Sequence, residues 1–134
     1  MARPLRILVV LLGLGALLLA PRAAAQETLA VEIAPTARLL RGGKAVAVQV
    51  TVTCPTGAAE VVEAFLYVNQ DGNQGEFVFF HPTCDASPQT LMVRAQAVDF
   101  RYHVGQAQVS AYVLLSSGAS TSPAQTVTLH HRQR

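Results

Sequence analysis

Few side chains in this 134-residue sequence could carry covalent, acid-base or metal chemistry. A serine nucleophile needs a base within reach, and none of Ser87, Ser110, Ser116, Ser117, Ser120 and Ser122 stands in a G-x-S-x-G or S-x-x-K setting. Zinc ligands recur at paired spacings such as C-x-x-C or H-x-H. Of His81, His103, His130 and His131 only the last two are close in sequence, and neighbours on a strand point to opposite faces. They read as exposed histidines. The loop from Asn69 to Glu76 sets oxygen-bearing residues at alternate positions, as a calcium loop would. Counted from Asn69, the glycine and glutamate positions of an EF-hand are held by Gln74 and Phe80, so a hairpin turn is the better reading. Paired carboxylates remain. Glu63, Glu76, Asp85 and Asp99, with His81 and His103, would make a small secreted hydrolase or metal-dependent enzyme only if the fold gathered them. That is the alternative function; no residue is given a catalytic, cofactor or metal role, and no cofactor is expected.

The N-terminus decides the compartment. Arg3 and Arg6 precede the apolar run Ile7 to Ala20, which is followed by Pro21, Arg22, Ala23, Ala24 and Ala25. A basic start, an apolar middle and a small-residue end describe a cleavable secretory signal. At about 1.5 Å per helical residue the run falls short of a hydrocarbon core of roughly 30 Å, so no membrane anchor is expected after cleavage. Residues 1–25 read as signal peptide, and residues 26–134 as one secreted or periplasmic domain. Cleavage also removes Arg3, Arg6 and Arg22, leaving seven basic residues against all eight acidic ones, a formal charge of −1 instead of +2. The basic balance of the whole chain therefore gives no argument for a nucleic-acid or anionic-membrane partner.

Period-two alternation runs through the rest. From Lys44 to Cys54, Val46, Val48, Val50, Val52 and Cys54 point one way while Ala45, Ala47, Gln49, Thr51 and Thr53 point the other, which predicts a strand with one face in the core. Gln106 to Leu115 repeats the design. Glu60 to Asn69 is apolar on both faces and reads as a mid-sheet strand, with Val62, Ala64, Leu66 and Val68 backed by Val61, Phe65 and Tyr67. Weaker strands are expected over Thr28 to Ile33, Glu76 to His81, Gln89 to Val98 and Ala124 to His130. Turn signals separate them, and no sustained 3.6-residue period intervenes. About seven antiparallel strands in an all-β chain predict an immunoglobulin-like β-sandwich.

Cys54 and Cys84 are even in number and, in an exported chain, are expected to form a disulfide; the alternative is two buried, reduced thiols. In a seven-stranded sandwich the second and fifth strands pair antiparallel, which sets Cys54 beside Cys84. On the segment Phe77-Val78-Phe79-Phe80, Phe77 and Phe79 face one way and Val78 and Phe80 the other. The leading expectation covers both pairs; on an edge strand, one pair would stay open as a contact surface.

The valine strand ending at Cys54, the Cys84-Asp85 pair and the run Gly105-Gln106-Ala107-Gln108-Val109-Ser110-Ala111 resemble a group of small secreted bacterial immunoglobulin-like domains of unknown function. The resemblance spans about Gly42 to Leu115. It implies the sandwich fold and an exported setting, and it brings no active-site residues. The expected function is an exported, non-enzymatic binding or structural module that contacts another protein or a surface glycan through its loops or through Phe77 and Phe79.

Overall fold

The computed structural model describes residues 28–57, 60–85 and 87–131. The expected leader, residues 1–25, lies outside them. The described chain is all-β and runs, among the described residues, through ten strands: β1 (Ala30–Ile33), β2 (Thr36–Leu40), β3 (Ala45–Thr53), β4 (Val61–Gln70), β5 (Asn73–Gln74), β6 (Val78–Phe79), β7 (Gln89–Gln96), β8 (Gly105–Leu115), β9 (Ser120–Thr121) and β10 (Ala124–His130). Each segment expected from alternation contains a strand. Strands β2, β5 and β9 are additional; β5 and β9 are two-residue return arms of local hairpins on β4 and β8, too short to show an alternation, and β2 is fixed by pairing with the distant β10. No helix among the described residues is long and apolar enough to cross a membrane.

The strands hydrogen-bond in a continuous order. β7 pairs with one edge of β3, and β1 and β2 share its other edge; β2 continues to β10, then β8, then β4, whose far edge carries β5 and β6. All pairings are antiparallel except one, because β2 lies parallel to β10 with Leu129 opposite Ala37. The wholly antiparallel expectation is corrected here. Pro35, which has no N–H to donate, ends the run of β1 along β3, and its carbonyl accepts from Thr128 N at 2.9 Å, drawing the following residues toward β10.

The alternating apolar faces meet in one core. Val46, Val48, Val50 and Val52 of β3 share it with Ala64, Leu66 and Val68 of β4, with Val109, Ala111, Val113 and Leu115 of β8, and with Val127 and Leu129 of β10. Each fully buried valine or leucine contributes about 1.5–3 kcal/mol relative to exposure. Cys54, at the end of β3, is bonded to Cys84 across 5.3 Å between Cα atoms, beside the β3–β7 ladder where Val52 faces Gln89. This bond fits an oxidising compartment. Between β4 and β5 the turn residues Asp71 and Gly72 both have positive φ, 52° and 81°, the two-residue connection that suits the right-handed strand twist.

Tyr102 ties the ends of the fold together. It is 3% exposed; its hydroxyl donates to Val68 O at 3.0 Å and its backbone N donates to Gly43 O at 2.8 Å. Burial disfavours the phenolate and pushes the Tyr102 pKa up to about 12. A raised folded-state value means that the stabilisation is complete below pH 10 and is lost as pH rises toward about 12. We expect urea-unfolding free energy to fall by roughly 2–3 kcal/mol across that window. Tyr102→Phe should flatten the fall, at a cost of about 1 kcal/mol at neutral pH for the lost hydrogen bond. A variant that keeps the wild-type alkaline slope would assign it to another group.

Candidate functional site

The outward face of β4 begins at a bulge. Val61 pairs with Leu115 and Glu63 with Leu114, so Val62 is the extra residue and is turned outward, 61% exposed. The expected alignment of Val62 with Ala64, Leu66 and Val68 is corrected by this bulge, since Val61 packs against the core instead. Beyond it the alternation is regular: Ala64, Leu66, Val68 and Gln70 are buried, and Glu63, Phe65, Tyr67 and Asn69 face outward.

Register then assembles aromatics from three strands. Phe65 stands opposite Tyr112 of β8 on one side and Phe79 of β6 on the other. The Phe65 ring lies 5.3 Å from Tyr112, 6.0 Å from Phe79 and 5.4 Å from Phe77, and Phe77 in turn lies 5.0 Å from Tyr67. The contacts of Phe77 and of Phe79 are edge-on, with interplanar angles of 65–82°. Val78 and Phe80 turn inward to the core, whereas Phe77 and Phe79 are 53% and 62% exposed. The expectation that both pairs are covered does not hold, because β6 is a two-residue edge strand that pairs, among the described residues, with β4 alone. β4 lies mid-sheet, as expected, between β8 and the short β5 and β6. Its outer side is closed only in part, by rings of its own layer.

Beside Phe79 the surface sinks into an open cleft of about 670 Å³. One wall is the start of β4, from Glu60 to Ala64; the other is the stretch Phe79 to Cys84. Glu60, Glu63 and His81 supply its ionisable groups, and Val62, Phe79 and Pro82 much of its apolar lining. Two of the six acids and histidines singled out from sequence, Glu63 and His81, are thus brought together. Glu76, Asp85, Asp99 and His103 do not line this cleft.

His103 is engaged elsewhere. Its ring nitrogens face the Val104 carbonyl at 3.0 Å and the Asp71 carboxylate at 2.6 Å. Both acceptors are satisfied together only by the imidazolium, and the Val104 carbonyl first, then Asp71, hold the His103 pKa above the ordinary imidazole value. The pair is exposed, so it marks the loop more than it stabilises it. Underneath, the buried Gln70 side chain fixes the same loop, donating to His103 O at 2.9 Å and accepting from His103 N at 2.9 Å. His130 bonds the carbonyl of His131, and among the described residues no three His, Cys, Asp or Glu side chains are gathered to hold a metal ion.

Phe65, Tyr67, Tyr112 and Glu60 belong to the site without having been singled out. The alternation already set Phe65 and Tyr67 on one face; joining them to Tyr112 required the β4–β8 register. No protein-family model matches the chain, and no curated protein matches it.

Proposed function

We propose that the chain is an exported, non-enzymatic binding module with an immunoglobulin-like sandwich fold, which contacts a protein partner through the aromatic face around Phe77 and Phe79. The observation that carries this reading is the five-ring cluster, two of whose members are more than half exposed. Contiguous exposed aromatics at a sheet edge are costly in water and are the residues that dominate interfaces. Their edge-on packing supplies no shared flat platform for stacking a sugar, so a protein suits them better than a glycan.

The sandwich reading draws on the strand order. The buried faces of β3 and β8 belong to one cluster although β2 and β10 lie between them in the sheet, which two layers packed face to face would explain. Export draws on the leader pattern of residues 1–25 together with the disulfide. A second reading, a small secreted hydrolase with Glu63 and His81 as acid and base, has their common cleft in its favour. The cleft is open, however, both residues are exposed, and among the described residues no ion pair joins Glu63 to His81.

The test uses exported protein whose intact mass shows a start at Gln26 and the two-hydrogen deficit of one disulfide. Chemical crosslinking at the surface of the producing cell should yield one adduct that disappears with Phe77→Ser/Phe79→Ser. Each substitution should cost about 1–2 kcal/mol of stability, since each ring is roughly half covered and packs edge-on against its neighbours. Retention of the adduct by a folded double variant would sink the contact-surface reading.

A further inference from the structure

Resting on that contact-surface reading, we propose that the cleft beside Phe79 receives an arginine or lysine side chain of the protein partner, its stem against Val62 and Phe79 and its charged head between Glu60 and Glu63. Charge is unevenly distributed over the fold. Among the described residues the lysines and arginines are Arg38, Arg41, Lys44, Arg94 and Arg101, on β2, the turn after it, β7 and the loop before β8. None lies on β4, β5, β6, β8, β9 or β10, the strands that build and border the aromatic face. Among the described residues the carboxylates beside that face, Glu60, Glu63 and Glu76, form no ion pair with a lysine or arginine; His81 is the one basic side chain lining their cleft, and the one ion pair joins Asp71 to His103 at the far end of β4.

Covering this surface with a neutral apolar group would strip water from Glu60 and Glu63 and leave both unpaired, a costly outcome for a carboxylate. A basic side chain removes that cost by pairing with them. The apolar lining suits the same occupant. Arginine and lysine carry long aliphatic stems that pack on apolar groups, and Val62, pushed outward by the bulge, and Phe79 offer such a surface. The exposed Phe79 ring also attracts a cation over its face. At about 670 Å³ the cleft holds one such side chain with an apolar neighbour beside it.

The test titrates isotope-labelled exported protein with acetyl-Leu-Arg-Leu-amide and with the same peptide carrying citrulline, which keeps the shape of arginine without its charge. The arginine peptide should bind about tenfold more tightly, less so at high salt, and should shift resonances of Val62, Glu63 and Phe79. Glu60→Gln/Glu63→Gln should abolish its advantage while the fold, followed by circular dichroism, is unchanged. Equal affinity of the two peptides, with shifts still centred on Phe77 and Phe79, would overturn the cation inference and leave the contact surface standing. Binding of neither up to about millimolar concentration would overturn the inference too, as would arginine-peptide shifts confined to Asp71. If chitohexaose moved the Phe79 resonances and the peptides did not, both readings would fall in favour of a glycan. A dimer abolished by Glu60→Gln/Glu63→Gln would assign the cleft to the basic edge of a second copy and overturn the partner assignment.

Discussion

Removing the Cys54–Cys84 bond, by Cys54→Ala/Cys84→Ser, is expected to lower the unfolding free energy by about 3–4 kcal/mol. The size follows from the loop that it closes. The two cysteines are 30 residues apart, and joining them removes from the unfolded chain the conformations in which the ends of that loop are far from each other. Cys54 is 2% exposed and Cys84 packs against the core, so alanine and serine there leave a small apolar deficit in addition. For a domain of this length the loss corresponds to a fall in Tm of roughly 15–25 °C, a large share of a stability of about 5–15 kcal/mol. Urea denaturation of the variant, set beside wild type with and without reductant, measures it. Reduced wild type and the double variant should unfold at similar midpoints. A difference from the oxidised protein below about 1 kcal/mol would mean that the segment from β3 to β7 is already restrained in the unfolded ensemble.

The second large effect is expected at Gly75. Its N–H donates to Val68 O at 2.9 Å, and the same oxygen accepts the Tyr102 hydroxyl at 3.0 Å. A Cβ at residue 75 would overlap the Tyr102 hydroxyl and come within 2.6 Å of Gln96 O. Neither neighbour yields easily. Tyr102 is locked by burial and by its backbone bond to Gly43, and Gln96 O accepts from Glu76 N at 3.0 Å. Gly75→Ala should therefore cost about 2–4 kcal/mol, combining overpacking with a broken buried hydrogen bond. Tyr102→Phe removes one of the two overlaps, so the cost of Gly75→Ala should be smaller in that background. Urea unfolding of both single variants and the double variant gives the coupling. Strictly additive costs would show that the Gln96 carbonyl alone sets the penalty.

These two sites stabilise the frame on which the aromatic face is displayed, and they do so from opposite ends. The disulfide anchors the segment Phe80 to Cys84, which forms one wall of the cleft. Tyr102 and Gly75 hold the β5 end of β4, from which the chain enters Phe77 and Phe79. Loss of either should loosen the aromatic face before the core strands β3 and β8 open.

Alternation was enough to place the seven principal strands, because in a strand every second side chain must enter the core and the valines of β3 and β8 leave no other period. The same rule divided Phe77 and Phe79 from Val78 and Phe80, and an even cysteine count, read with the expectation of export, pointed to the bond that is present. What alternation cannot contain is which strand lies beside which. The parallel β2–β10 pairing, the bulge that turns Val62 outward and the short β6 edge all depend on hydrogen bonds between residues far apart in the chain. Those pairings expose Phe77 and Phe79, gather Phe65, Tyr67 and Tyr112 around them, and bring Glu60 and Glu63 opposite His81. Composition and period determined which faces of this protein are apolar; tertiary pairing decided which of them stays in contact with water, since exposure depends on what covers a face and not on the face itself.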